Sequence, residues 1–247
     1  MIKVCNLCKY YGQMLAVNNL TFTVEKGRIL GFLGPNGSGK TTTMRILSCF
    51  MPPSSGTVTI GGMDIKTKSL ETKRITGYLP ETPPLYLEMK VDEYLAFAAQ
   101  IKGVDRDLAE NRIGWVKEKC GLHEVSNKLI STLSKGYKQR VGIAQSLVND
   151  PEVLILDEPT IGLDPKQISE IRKLIKTLSG ERTVILSTHI LSEVMLICDD
   201  ILIINRGKLM LHKPLSEIGR KTNLESLFLK YTYDIEAGEN TGDKPNE

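Results

Sequence analysis

The segment Gly34-Pro35-Asn36-Gly37-Ser38-Gly39-Lys40-Thr41, with Thr42 directly after it, constrains this chain more than any other. Its spacing is a glycine, four residues, then Gly-Lys-Thr. Glycines let a backbone turn tightly enough for its N–H groups to converge on phosphate oxygens, and a helix starting there adds the positive end of its dipole. A lysine at the place of Lys40 reaches β- and γ-phosphates, and a hydroxyl at the place of Thr41 is a Mg²⁺ ligand. The pattern carries weight only between a buried strand and a helix. Both are expected here. Residues 28–33 form a short, mostly apolar run, and 41–50 has helical spacing through Met44, Leu47 and Ser48. A nucleotide's phosphates, held at the end of a strand, are the ligand this segment predicts.

Two more apolar runs, Val153-Leu154-Ile155-Leu156 and Thr183-Val184-Ile185-Leu186, lead into polar turns and then helical segments. Buried strands separated by helices predict an α/β fold with a parallel sheet. Residues 2–4 start an extended segment and 20–24 alternate apolar and polar up to a turn at 25–27. The middle of the chain differs: 91–101, 108–120 and 137–148 are helical in pattern, introduced by Pro80, Pro83 and Pro84 and closed by Pro151. That predicts a helical subdomain at about 82–150 inserted into an α/β domain spanning 1–235. Residues 236–247 are polar, with Gly238, Gly242 and Pro245, and predict a disordered tail.

The run 153–156 ends in Asp157-Glu158, two acids at the C-terminal end of a strand, where α/β sheets bind their ligands. If the extended conformation continues, they point to opposite sides and need different partners. Asp157 suits Mg²⁺ held through water, and Glu158 suits activation of an attacking water. Joined to the phosphate loop, the pair predicts hydrolysis rather than binding alone.

Composition narrows the classes that remain. The chain has 247 residues, 41% hydrophobic and 25% charged, which excludes a disordered or fibrous protein. No apolar run approaches the roughly 18–20 residues of a spanning helix. Thirty-two Lys and Arg against 29 Asp and Glu leave +3, too even for nucleic acid or an anionic membrane as the main partner. Five cysteines without an apparent export signal predict reduced thiols in a cytoplasmic protein. Cys5 and Cys8 are a lone Cys-x-x-Cys in an expected edge segment, read as structural.

Leu133-Ser134-Lys135-Gly136-Tyr137-Lys138-Gln139-Arg140 resembles the signature motif of ATP-binding cassette (ABC) proteins. The resemblance runs from Tyr11 to about Tyr231 with every motif in order, and is nearest to the ATPase subunits of prokaryotic ABC-2-type exporters. On its own, Ser134 and Gly136 before apolar Val141, Ala144 and Val148 mark a helix start, either an ordinary cap or an anion site. The resemblance implies a P-loop NTPase fold of ABC type, with a parallel-sheet core, an antiparallel β subdomain and the inserted helical subdomain. It implies ATP and Mg²⁺, and contact between Ser134, Gly136 and the γ-phosphate bound to a second subunit. A homodimer around two ATP follows. Residues 161–164 resemble the interface-crossing D-loop, with Pro165 opening the next helix. His189 matches the switch histidine on the γ-phosphate. Tyr11, followed by Gly12, matches the aromatic that stacks on adenine, with Tyr10 as its competitor.

The family's pattern is broken at three places. Glu81 stands where a glutamine is usual and can still ligate Mg²⁺ or hold the attacking water. Lys135 replaces a glycine and Tyr137 a polar residue, while Ser134 and Gly136 are kept. The resemblance implies an ATP-hydrolysing subunit that drives transport, in the export direction, through separately encoded membrane permease subunits at the cytoplasmic face. Residues 83–87 are either part of a groove for a permease helix or core packing. The competing class is a soluble ABC ATPase that remodels a nucleic-acid or protein complex, many of which carry two cassettes or large insertions. A small-molecule kinase leaves Ser134–Gln139, Asp164 and His189 unexplained.

Overall fold

A computed structural model describes residues 1–218 and 224–232. The expected tail at 236–247 lies outside them. The chain opens with two long antiparallel strands, β1 (Ile2–Tyr11) and β2 (Met14–Val24), then β3 (Ile29–Leu33) and helix α1 (Lys40–Leu47). Next come β4 (Ser55–Ile60), β5 (Met63–Asp64), α2 (Ser69–Arg74) and β6 (Thr76–Leu79). Helices α3 (Val91–Ile101), α4 (Arg106–Cys120) and α5 (Lys135–Leu147) follow before the chain returns to β7 (Val153–Asp157). The rest is α6 (Pro165–Thr177), β8 (Thr183–Thr188), α7 (Leu191–Ile197), the pair β9 (Asp200–Asn205) and β10 (Lys208–Pro214), and α8 (Leu224–Thr232).

The strands form two sheets. One is antiparallel in the order β2-β1-β4-β5, and the other has six strands in the order β10-β9-β3-β8-β7-β6. Within the larger sheet β9, β3, β8, β7 and β6 run parallel, and only β10 is antiparallel. Every residue of β3, β7, β8 and β9 is buried, as expected of strands covered on both faces. The period of two divides them between the two faces of the sheet, where two large cores form and a third, smaller one takes Leu33, Ile201 and Ile203. Leu154, Leu156, Val184 and Leu186 pack with Leu95, Ala99, Val141 and Ala144 of α3 and α5. Val153, Ile155, Ile185 and Phe32 pack with Met44 and Leu47 of α1 and with Val4, Leu20 and Phe22 of the antiparallel sheet.

Strand β1 lies between β2 and β4, so Cys5 and Cys8 belong to an inner strand and not to an edge. The cause is non-local. Residues 55–60 supply β4, which pairs along 2–8. Cys8 Sγ accepts a hydrogen bond from Asn19 N at 3.2 Å, a structural role.

Candidate functional site

The ends of three parallel strands bring the site together. In register, Leu33 of β3 is opposite Thr188 of β8, and Asp157 of β7 is opposite Ser187. The phosphate loop, the Asp157-Glu158 turn and the His189 turn therefore leave the sheet side by side. They open on a cleft of about 750 Å³ whose walls include Asn36, Gly37, Gly39, Lys40, Thr41, Thr42, Glu81, Glu158 and His189.

The loop is shaped by what cannot fit in it. A Cβ on Gly39, which sits at φ +103°, would lie 2.5 Å from Ala16 O. One on Gly34 would lie 2.4 Å from both Ile204 O and the buried Ser38 Oγ. Gly37 also has a positive φ, 78°, and faces open space. Outside the loop, Gly207 N donates to Ser38 O at 2.9 Å and Gly207 O accepts from Asn18 N at 2.9 Å. The loop is thus clamped between β2 and the β9–β10 turn. Lys40 is 6% exposed; its ammonium donates to Gly34 O at 2.9 Å and Pro35 O at 3.2 Å and lies 3.5 Å from Glu158 Oε1.

The two acids do take different partners, but not by continuing the strand. β7 stops at Asp157, and Glu158 turns to a left-handed φ of 49°, held by a hydrogen bond from Glu158 N to Ser187 O at 3.0 Å. Asp157 is fully buried, and its Oδ1 accepts from Ser187 Oγ at 2.5 Å. Burial pushes the Asp157 carboxyl above its usual value; the Ser187 and Thr41 hydroxyls draw it back, and the charges of Glu158 and Glu81 raise it further. Glu158 faces the cleft, with His189 Nδ1 2.9 Å from its Oε2. Against a carboxylate Nδ1 carries the proton, so a neutral ring presents Nε2 as an acceptor.

A hard divalent cation fits the residues at Asp157. Its Oδ2 is buried with no hydrogen-bond partner, and the Thr41 hydroxyl is beside the carboxyl. Among the described residues no group of three or more His, Cys, Asp or Glu side chains forms a protein-only metal site. That matches Mg²⁺, which takes one or two protein oxygens and completes its shell with phosphates and water.

Three of the expected site residues lie elsewhere. Ser134 caps α5, its Oγ accepting from Tyr137 N at 3.4 Å, and Gly136 packs against the Gln167 side chain of α6. The signature segment adjoins residues 161–164, because a Cβ on Gly162 would lie 2.1 Å from Lys135 Nζ. Neither Ser134 nor Gly136 lines the cleft that holds Lys40. Tyr11 is also off the cleft, its hydroxyl donating to Met51 Sδ at 3.2 Å. Met14, Leu15 and Ala16 form the wall from this hairpin, and Arg206 and Ile161 complete the lining. Ile161 opens the segment that resembles the D-loop, and no motif marks the other four. The local signal at Arg206 is the turn it makes with Gly207, where both residues have positive φ.

A family model described as "ABC transporter" matches residues 17–161, and a shorter one described as "AAA domain, putative AbiEii toxin, Type IV TA system" matches 129–195. The chain is 41% identical over 223 residues to the bacitracin transport ATP-binding protein BcrA of Bacillus licheniformis, covering 90% of this chain and 72% of that protein. It is 38% identical over 229 residues to the lantibiotic transport ATP-binding protein SrtF of Streptococcus pyogenes, covering 92% and 96%. The solved structure of an ATP binding subunit of an ABC transporter superposes with a TM-score of 0.84 at 29% identity, over 94% of this chain and 99% of that one. A dimeric, post-hydrolysis structure of the cassette MJ0796 bound to ADP and Pi gives 0.79 at 25%, over 87% and 99%. A family match across more than half the chain, on this fold and this cleft, makes the protein a member of the ABC transporter family and one of its ATP-binding, ATP-hydrolysing subunits.

Proposed function

We propose that this chain hydrolyses ATP, paired with a second copy, to drive export through separately encoded membrane permease subunits at the cytoplasmic face. The observation that carries the hydrolysis is the convergence of Lys40, Thr41, Glu158 and His189 on one cleft, beside buried Asp157. The loop N–H groups and the Lys40 ammonium bind the β- and γ-phosphates. Glu158 takes a proton from water as the water oxygen attacks the γ-phosphorus. The bond from that phosphorus to the bridging oxygen breaks, and ADP and phosphate leave. His189 bonds a γ-phosphoryl oxygen as the imidazolium, with Nδ1–H donating to Glu158 and Nε2–H to the phosphoryl oxygen. Thr41 and Asp157, with Glu81 at the rim of the cleft, would hold Mg²⁺, which would supply positive charge to offset that of the phosphates.

Pairing is supported by Ser134, exposed at the start of α5 next to buried Gly136 and not in the wall of the chain's own Lys40 cleft, where the ATP of a second copy can reach it. Each ATP then binds the closed pair better than the open one, and hydrolysis removes that preference. Among the described residues no helix is long and apolar enough to cross a membrane. The helices within 82–150 act as the docking unit for the permease. At their entrance Leu85 packs on the core while Tyr86 and Leu87 are each 48% exposed, with the Tyr86 ring 5.3 Å from that of Phe97. BcrA and SrtF are named for transport of bacitracin and of a lantibiotic, and the export direction rests on the resemblance to ABC-2-type exporters.

Tagged Glu158→Gln protein, captured from detergent-solubilised membranes of its host with and without ATP, tests the transporter assignment. Recovery of a polytopic membrane protein in near-equal amount supports it. Recovery of soluble partners alone, ribosomes or repair factors among them, sinks it in favour of a remodelling ATPase.

A further inference from the structure

Glu193 of α7 has no part in the chemistry above, yet its carboxylate joins the two turns that carry Glu158 and His189. It is 1% exposed. Thr160 Oγ1 donates to its Oε1 at 2.5 Å, and Thr188 Oγ1 donates to its Oε2 at 2.9 Å. Thr160 is two residues past Glu158, and Thr188 directly precedes His189. Thr188 Oγ1 also accepts from Ile190 N at 3.0 Å, which closes the turn around His189. Arg172 Nη2 of α6 lies 3.8 Å from Oε1, and α6 is the helix that Asp164 caps.

A buried carboxylate is a costly way to fill space, because its charge leaves water for partners that must be well placed. An apolar side chain of similar volume would pack the same site without that cost. What only the carboxylate supplies is two acceptors at a fixed spacing, one for each turn. The register of β7 against β8 ends at Asp157 and Ser187, and the last backbone tie is Glu158 N to Ser187 O, after which no backbone bond joins Thr160 to Thr188. Glu193 bridges the turns where the ladder stops.

We propose that Glu193 is a positioning residue for hydrolysis, holding the Glu158 and His189 turns at the spacing that puts His189 Nδ1 on Glu158 Oε2. The inference rests on the roles given above to Glu158 and His189. Glu193 touches neither the phosphates nor the attacking water.

The test uses the full chain and measures kcat and KM for ATP with Mg²⁺, ATP affinity and melting temperature. Glu193→Ala is expected to lower kcat by about tenfold or more, since small misplacements of reacting groups are that damaging. Its KM and ATP affinity should stay within about threefold, as the lost effect belongs to the transition state. Glu193→Gln accepts from one threonine and donates to the other, whose hydroxyl rotates to accept, and should return kcat to within about threefold of the parent. Thr160→Val, harmful alone, should add nothing in the Glu193→Ala background. If Glu193→Ala does not fold, Thr160→Val and Thr188→Val each carry the test, with a lowered kcat at unchanged KM expected. A parental kcat in these variants, or Glu193→Leu restoring kcat as well as Gln, overturns the proposal as a matter of packing alone. Glu158→Gln measured alongside separates the premise. If it loses turnover while Glu193→Ala keeps it, the positioning role alone falls; if it keeps turnover, both fall.

Discussion

Asp157 shows how far a site residue's chemistry departs from what stability alone would select. Its carboxyl is fully buried, one oxygen is bonded to Ser187 and the other has no partner. Burial raises its pKa, so the folded protein holds this proton more tightly than the unfolded chain does. The group's contribution to stability is then full below its ordinary value of 3.8 and is lost as pH rises through the raised value. At neutral pH without Mg²⁺ and nucleotide, Asp157→Asn should melt higher than the parent, and the gap should narrow as pH falls toward that ordinary value. The same change should cut hydrolysis by about a hundredfold or more, as removal of a key electrostatic group does. A variant that melts lower at pH 7 would contradict the burial argument. Asp157, Glu158 and Lys40 were legible as functional because the spacing of a phosphate loop and an acid pair at a strand end is local. Arg206 and Ala16 were not, because they come together only where β2 of one sheet meets the β9–β10 turn of the other, segments far apart in sequence.

The elements legible in the sequence were those whose signal is a long local period. Helix α3 occupies Val91–Ile101, the segment its apolar spacing predicts, and the runs at 153–156 and 183–186 became strands with every residue buried. Strand β6 was not visible. It has four residues, one of them Gly77, and its identity comes from pairing with β7. The same holds for β4, which turned β1 from an expected edge into an inner strand. Gly77 also explains how α5 reaches the sheet. A Cβ there would lie 2.1 Å from the backbone oxygen of Ser146, so the helix approaches more closely than any side chain allows. Gly77→Ala should therefore lower unfolding free energy by about 1–3 kcal/mol, the usual range for overpacking, seen as a lower urea midpoint at unchanged slope. An unchanged midpoint would mean that α5 is not seated on β6 as described.

At the scale of the whole molecule, two helix starts matter, those of α1 and α5. One, at Lys40, has its own acids and histidine; the other, at Ser134, adjoins residues 161–164, and the Ser134 hydroxyl caps its own helix. In the proposed pair, the Lys40 cleft of each copy faces the Ser134 helix start of the other across one ATP. The most direct measurement is sedimentation equilibrium of Glu158→Gln with and without ATP and Mg²⁺, beside phosphate release by the parent. The account predicts a variant that has lost turnover by about a hundredfold or more and is monomeric without ATP but dimeric with it. It also predicts that Ser134→Arg in the same background stays monomeric while still binding ATP. A Glu158→Gln protein that turns over ATP at the parental rate, or stays monomeric at saturating ATP, would contradict it.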